Sequence, residues 1–133
     1  MKIKNTILLS FLILLAAGCR KEGLDGEATL KVELRHHTRN VYSCCVSNYH
    51  DSIFVKFGVK EIPADPTHDY DALFVGDSGT CIVDCPQLKW GYYSVFATGW
   101  DTIMNTRVTG GAAVKIAHSE RKNAQDVTVL LDE

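Results

Sequence analysis

The chain reads as all-β, a seven-stranded antiparallel sandwich. Three observations lead there. Residues 28–35 alternate strictly between apolar and polar for eight positions. Six further short runs follow, most of them bounded by glycine, proline or Asp-Ser-Gly turn residues. No segment holds a helical period for more than a turn or two. Short strands separated by turns are the signature of a sandwich.

The N-terminal stretch is of another kind. Lys2 and Lys4 form a basic start, Ile7 to Leu15 is apolar except for Ser10, and Ala16, Ala17 and Gly18 are small. Together they read as a secretory signal peptide. The run is too short to span a bilayer, which takes about 20 apolar residues. Leu15-Ala16-Ala17-Gly18-Cys19 resembles the lipobox of bacterial lipoproteins. The resemblance implies cleavage before Cys19, lipid on its sulfur and an acyl chain such as palmitate on the new amino group. Each buried CH₂ contributes about 0.8 kcal/mol, so more than one chain anchors stably. The expected location is the bacterial cell envelope, with the outer membrane favoured over the inner and the leaflet open.

Three parts follow: signal peptide 1–18, lipidated cysteine and tether 19–26, and one domain 27–133. The chain carries 14 basic and 16 acidic residues; losing Lys2 and Lys4 leaves 12 against 16, a net charge of −4. A nucleic-acid partner would call for a basic stripe, and none is present. Arg20 to Gly26 is polar with two glycines and reads as a tether reaching at most about 25 Å.

In the first strand Ala28, Leu30, Val32 and Leu34 share one face and Thr29, Lys31, Glu33 and Arg35 the other. His36 to Asp51 breaks the pattern and reads as a long loop. Ser52 to Val59 is the second strand, with Ile53, Val55 and Phe57 inward. Lys60 to Asp69 holds Pro63 and Pro66 and is loop. Tyr70 to Gly76 is a weaker third strand, and Asp77-Ser78-Gly79 a turn. Thr80 to Cys85 is the fourth, stopped by Pro86. Tyr92 to Gly99 is the fifth. Thr106 to Ala117 is the sixth, with a bulge or bend expected at Gly110-Gly111. Asp126 to Leu131 is the seventh, with Val127, Val129 and Leu131 inward.

Asp77-x-Gly79, a short strand, then Leu88-x-x-Gly91-x-Tyr93-x-Val95 resembles transthyretin-like (prealbumin-like) sandwiches, including carboxypeptidase regulatory-like domains. Trp90 stands where that family often has proline. The resemblance covers about twenty residues and implies the fold and a mostly non-catalytic class of attachment, spacing and binding modules. Catalytic residues of the few enzymes in that family do not map onto this chain, and fold alone does not carry function.

Apart from Cys19, the cysteines are Cys44, Cys45, Cys81 and Cys85. In an oxidising compartment four cysteines read as disulfide candidates, with three connectivities. A vicinal Cys44–Cys45 bond would be strained. Cys81 and Cys85 lie about 13 Å apart along a strand, beyond the roughly 7 Å that a disulfide tolerates. A bridge therefore crosses between the pairs, and Cys81 with Cys44 or Cys45 is the expected one. Buried free thiols are the alternative.

Candidate chemistry is sparse. His36, His37, His50 and Asp51 bracket the first long loop and are weak metal candidates. Neighbours on a strand point to opposite faces, so His36 and His37 are expected to diverge. His68-Asp69-Tyr70-Asp71 lacks the spacing of a calcium loop. Neither a G-x-S-x-G elbow nor H-E-x-x-H occurs. No cofactor is expected, and no catalytic residue. The alternatives are a small metal-dependent or cysteine hydrolase on the His36–Asp51 loop, with Cys44 or Cys45 as nucleophile and His50 as base, and an accessory or inhibitor subunit of an envelope enzyme.

The expected function is binding or structural, with an envelope protein or glycan as partner beside the membrane itself. The candidate surface is aromatic. With Tyr93, Val95 and Ala97 inward, Tyr92, Phe96 and, beyond the strand, Trp100 point outward. Phe54 on the second strand points the same way. Four large aromatics on a solvent face would mark a partner surface.

Overall fold

The computed structural model describes residues 22–41 and 50–133. Over these residues the chain is all-β, with two sheets packed on one core. The strands are β1 (Ala28–His36), β2 (Arg39–Asn40), β3 (Ser52–Phe57), β4 (Ala72–Val75), β5 (Ile82–Leu88), β6 (Gly91–Asp101), β7 (Thr106–Ile116) and β8 (Ala124–Leu131); a 3-10 turn spans His118–Glu120. One sheet has β1 at its centre, β8 on one side and β5 on the other. The second runs β4-β3-β6-β7. Both edges of one flank are tied: Thr109 and Asp132 exchange backbone hydrogen bonds of 2.8 Å in each direction, joining the β7 edge to the end of β8.

Alternation explains the core. Ala28, Leu30, Val32 and Leu34 of β1 are fully buried, as are Ile53, Val55, Tyr93, Val95, Ala97 and Val129 from the strands around them. Each fully buried large aliphatic side chain contributes about 1.5–3 kcal/mol. The motif residues have separate physical roles. Leu88 is core. Gly91 sits at φ 137, a conformation that glycine adopts without strain. Tyr93 is buried, and its hydroxyl donates to Lys89 O at 2.6 Å and accepts from Gly23 N at 3.1 Å.

Several expectations are corrected. The sheets are not purely antiparallel: β8 runs parallel to β1 through eight pairs, from Thr29↔Ala124 to His36↔Leu131. The chain crosses from one sheet to the other between β7 and β8. The direction in which β8 arrives follows from that crossover and leaves no mark on the strand's own pattern. An eighth strand, β2, lies inside the stretch expected to be loop. β1 continues through His36 because that imidazole is the fifth inward side chain and meets a buried carboxylate. His37 and Thr38 then close a two-residue hairpin, pairing His36↔Arg39 and Arg35↔Asn40.

Pro86 does not stop its strand. The register shifts between Ala28↔Leu88 and Leu30↔Cys85, so Pro86 and Gln87 both stand opposite Thr29. This is a bulge, with Gln87 at φ 61. At a bulge on an edge strand the missing N–H of proline is tolerated. Gly110 and Gly111, by contrast, sit in an unbroken β6–β7 ladder with no bulge. They are needed for close approach: a Cβ at Gly110 would strike Leu130 O, and one at Gly111 would strike Ile62.

The described part of the expected tether is docked on the domain. Gly26 N donates to Gln87 O at 3.0 Å, Lys89 N to Gly23 O at 2.9 Å, and Tyr92 N to Glu22 Oε1 at 3.3 Å. The expected signal peptide and Cys19 lie outside the described residues, as do Cys44 and Cys45.

Candidate functional site

The outer face of the second sheet carries the aromatic candidates. Cross-strand register places Leu73, Phe54, Phe96 and Gly111 side by side across β4, β3, β6 and β7. Directly opposed side chains share a face, which is why one row collects residues far apart in sequence. The Phe54 and Phe96 ring centroids are 6.5 Å apart, and Tyr70 meets Phe54 edge-on at 5.1 Å. Further along β6, Lys60 Nζ lies 4.5 Å and Lys115 Nζ 5.4 Å from the centre of the Tyr92 ring, within cation–π range. Lys56 binds Asp69 at 2.8 Å on the rim of this face. That hydrogen bond holds the lysine above its usual pKa.

This face is half covered. The segment 58–71 lies across it, with Ile62 on Gly111, Lys60 over Tyr92 and Tyr70 against Phe54. Phe54, Tyr92 and Phe96 are therefore half-buried, and Ser94 is buried on the same side of β6. Leu73, at 44% exposure, is the open end of the row. Sequence reasoning missed Leu73, Tyr70 and Ile62. Their strand was weak and their loop proline-broken, so no periodicity assigned them a face. Trp100 is inside β6 and not beyond it. It stands apart from the row, lining a depression of about 430 Å³ with Arg35, Arg39, Asp101 and Ile103.

The metal candidates separate. His36 is buried, and its Nδ1 lies 2.7 Å from Asp101 Oδ2. Asp101 Oδ1 accepts from the backbone N of Ile103 and of Met104, at 2.9 and 3.0 Å. These bonds, led by His36, lower the Asp101 carboxyl to about 2. The expected divergence of His36 and His37 is corrected: the ring centroids are 4.1 Å apart with the planes tilted by 37°, because His37 is held at φ 55 and turns back. Glu133, which the sequence did not single out, joins them. One ligand atom from each of His36, His37 and Glu133 lies within 4.8 Å of the others. His50 is exposed and Asp51 fully buried, and neither belongs to this group. Burial pushes the Asp51 carboxyl up to about 7. In the His68–Asp71 run, Asp69 and Asp71 both face Lys56.

Cys85 is a buried free thiol, pushed up to about 12 chiefly by burial. Cys81 is partly exposed and has no disulfide partner among the described residues. Leu34 N donates to Cys81 O at 3.1 Å, while Leu34 O accepts from Val41 N at 2.9 Å. Cys81 and Val41 thus both bond to Leu34, along one side of β1.

Comparison with protein-family models, with curated proteins and with solved structures finds no match to this chain.

Proposed function

We propose that this chain is a non-catalytic lipoprotein of the bacterial cell envelope, held by lipid on Cys19, whose transthyretin-like sandwich binds an envelope protein or glycan. The observation that carries the binding role is the Leu73–Phe54–Phe96 row, flanked by Tyr70 and Tyr92. A row of large apolar side chains left half open on a sheet face marks a partner surface. Lysines and carboxylates on its rim supply hydrogen bonds to a polar ligand.

The anchor reading rests on the lipobox-like end of the signal peptide. Residues 22–26 dock on the domain, and Cys19 precedes Glu22 by three residues, a span of at most about 10 Å along the chain. The domain then stands on its membrane at the Lys89–Gly91 end. The transthyretin-like reading is supported by the roles that Leu88, Gly91, Tyr93 and Val95 play at the turn into β6.

Two measurements test this. Mass spectrometry of the membrane fraction should find a diacylglyceryl N-terminus at Cys19, and a soluble protein beginning elsewhere would end the anchor reading. Binding of the full chain to purified envelope glycans and to envelope proteins should be lost in Phe54→Ser/Phe96→Ser. Retained binding by a folded double variant removes this face as the site. Unfolding of the double variant makes the rings core and also refutes the proposal.

A further inference from the structure

We infer that His36, His37 and Glu133 form a binding site for a divalent first-row transition metal, of the two-histidine, one-carboxylate type, with Asp101 as the positioning residue. This does not rest on the anchored-binding reading. The site is built from three separate elements: the end of β1, the hairpin turn to β2, and the residue after the Asp132–Thr109 pair.

The first argument is the state of His36. Its Nδ1 is engaged by Asp101 at 2.7 Å in a buried pair. Asp101 is itself oriented by two backbone N–H groups and by Arg39 Nη2 at 3.4 Å. A carboxylate on one imidazole nitrogen fixes the tautomer, makes the other nitrogen a better ligand and is the usual support of a metal-bound histidine. With Nδ1 taken, the nitrogen left for a metal is Nε2.

The second argument is His37. The first position of a two-residue hairpin with φ 55 is where glycine or asparagine is the easy choice. A histidine there carries a backbone cost, and its ring is folded onto His36. The third argument is Glu133. Both backbone hydrogen bonds between Asp132 and Thr109 measure 2.8 Å, so the residue that follows starts from a fixed position.

Geometry sets the adjustment needed. Ligands at 2.0–2.1 Å in a tetrahedral set lie about 3.3 Å from one another. The three ligand atoms lie within 4.8 Å, so the group closes by at most about 1.5 Å. His37 and Glu133 are exposed and can move, while His36 stays fixed. Three protein ligands leave a fourth position open to water or to a donor from another molecule. Two imidazoles and a carboxylate suit zinc and its neighbours better than calcium or magnesium.

The test uses the full chain, reduced, titrated with Zn²⁺ by calorimetry and with Co²⁺ by absorption. One equivalent of Zn²⁺ should bind, and Co²⁺ should show d–d bands without a thiolate charge-transfer band. His37→Gly and Glu133→Gln should each weaken binding at least about tenfold. Neither should lower the metal-free unfolding midpoint, since one relieves a turn and the other alters an exposed side chain. The inference is overturned by absence of saturable binding, by unchanged affinity in both variants, or by a thiolate band assigning the metal to cysteine.

Discussion

Raising the pH from about 5 to about 8 should destabilise this domain through one carboxylate, Asp51. Its side chain is fully buried, beside Gly99 and Val41, and burial moves its pKa from 3.8 to about 7. Between those values the folded chain keeps a proton that the unfolded chain has released. Stability linked to this group is therefore complete below about pH 4 and falls until about pH 7. Of the roughly three units between those values about two fall within pH 5–8, so at 1.36 kcal/mol per unit the loss across that range is about 3 kcal/mol. Against a total of about 5–15 kcal/mol for a domain this is a large share. It corresponds to a Tm change on the order of 10 °C for this size. Asp101 acts the other way: its contribution is present above 3.8 and lost only as pH falls to about 2, outside the window. The assay is urea unfolding followed by Trp90 and Trp100 fluorescence across that range. Asp51→Asn should flatten the wild-type slope and be the more stable protein at pH 8. Parallel profiles for the two proteins would refute the reasoning.

Gly110→Ala should cost about 3 kcal/mol, because a methyl there meets the Leu130 carbonyl and pushes β8 from the edge of β7; equal urea midpoints for variant and wild type would show that the edge yields. The cysteines should divide by position. Thiol-specific labelling should spare Cys85 until the domain unfolds, and non-reducing peptide maps of exported protein should join Cys81 to Cys44 or Cys45, closing a loop worth about 3–4 kcal/mol. A free Cys81 thiol in exported protein would dismiss the bridge.

Local alternation by itself determined the all-β class and most inward faces. A strand's period is two, so β1, β3 and β6 could each be split into faces without knowing their neighbours. The same rule placed Phe54 and Phe96 on one side, and the register confirms them as a direct pair. Tertiary structure decided what depends on residues far away. β8 is parallel to β1 because of a crossover, not because of its own residues. Gly110 and Gly111 answer to Leu130 and Ile62, and no local pattern announces a collision with another segment. Segment 58–71 half covers the aromatic row for the same reason. The His36 end shows the limit most plainly. Strand geometry predicted divergent histidines, yet a positive φ at His37 brings the two rings together, and Asp101 and Glu133 arrive from 65 and 97 residues beyond His36. Faces are written locally because sterics act between neighbours. A constellation of ligands needs the closed fold, because only packing brings such distant side chains within a few ångströms.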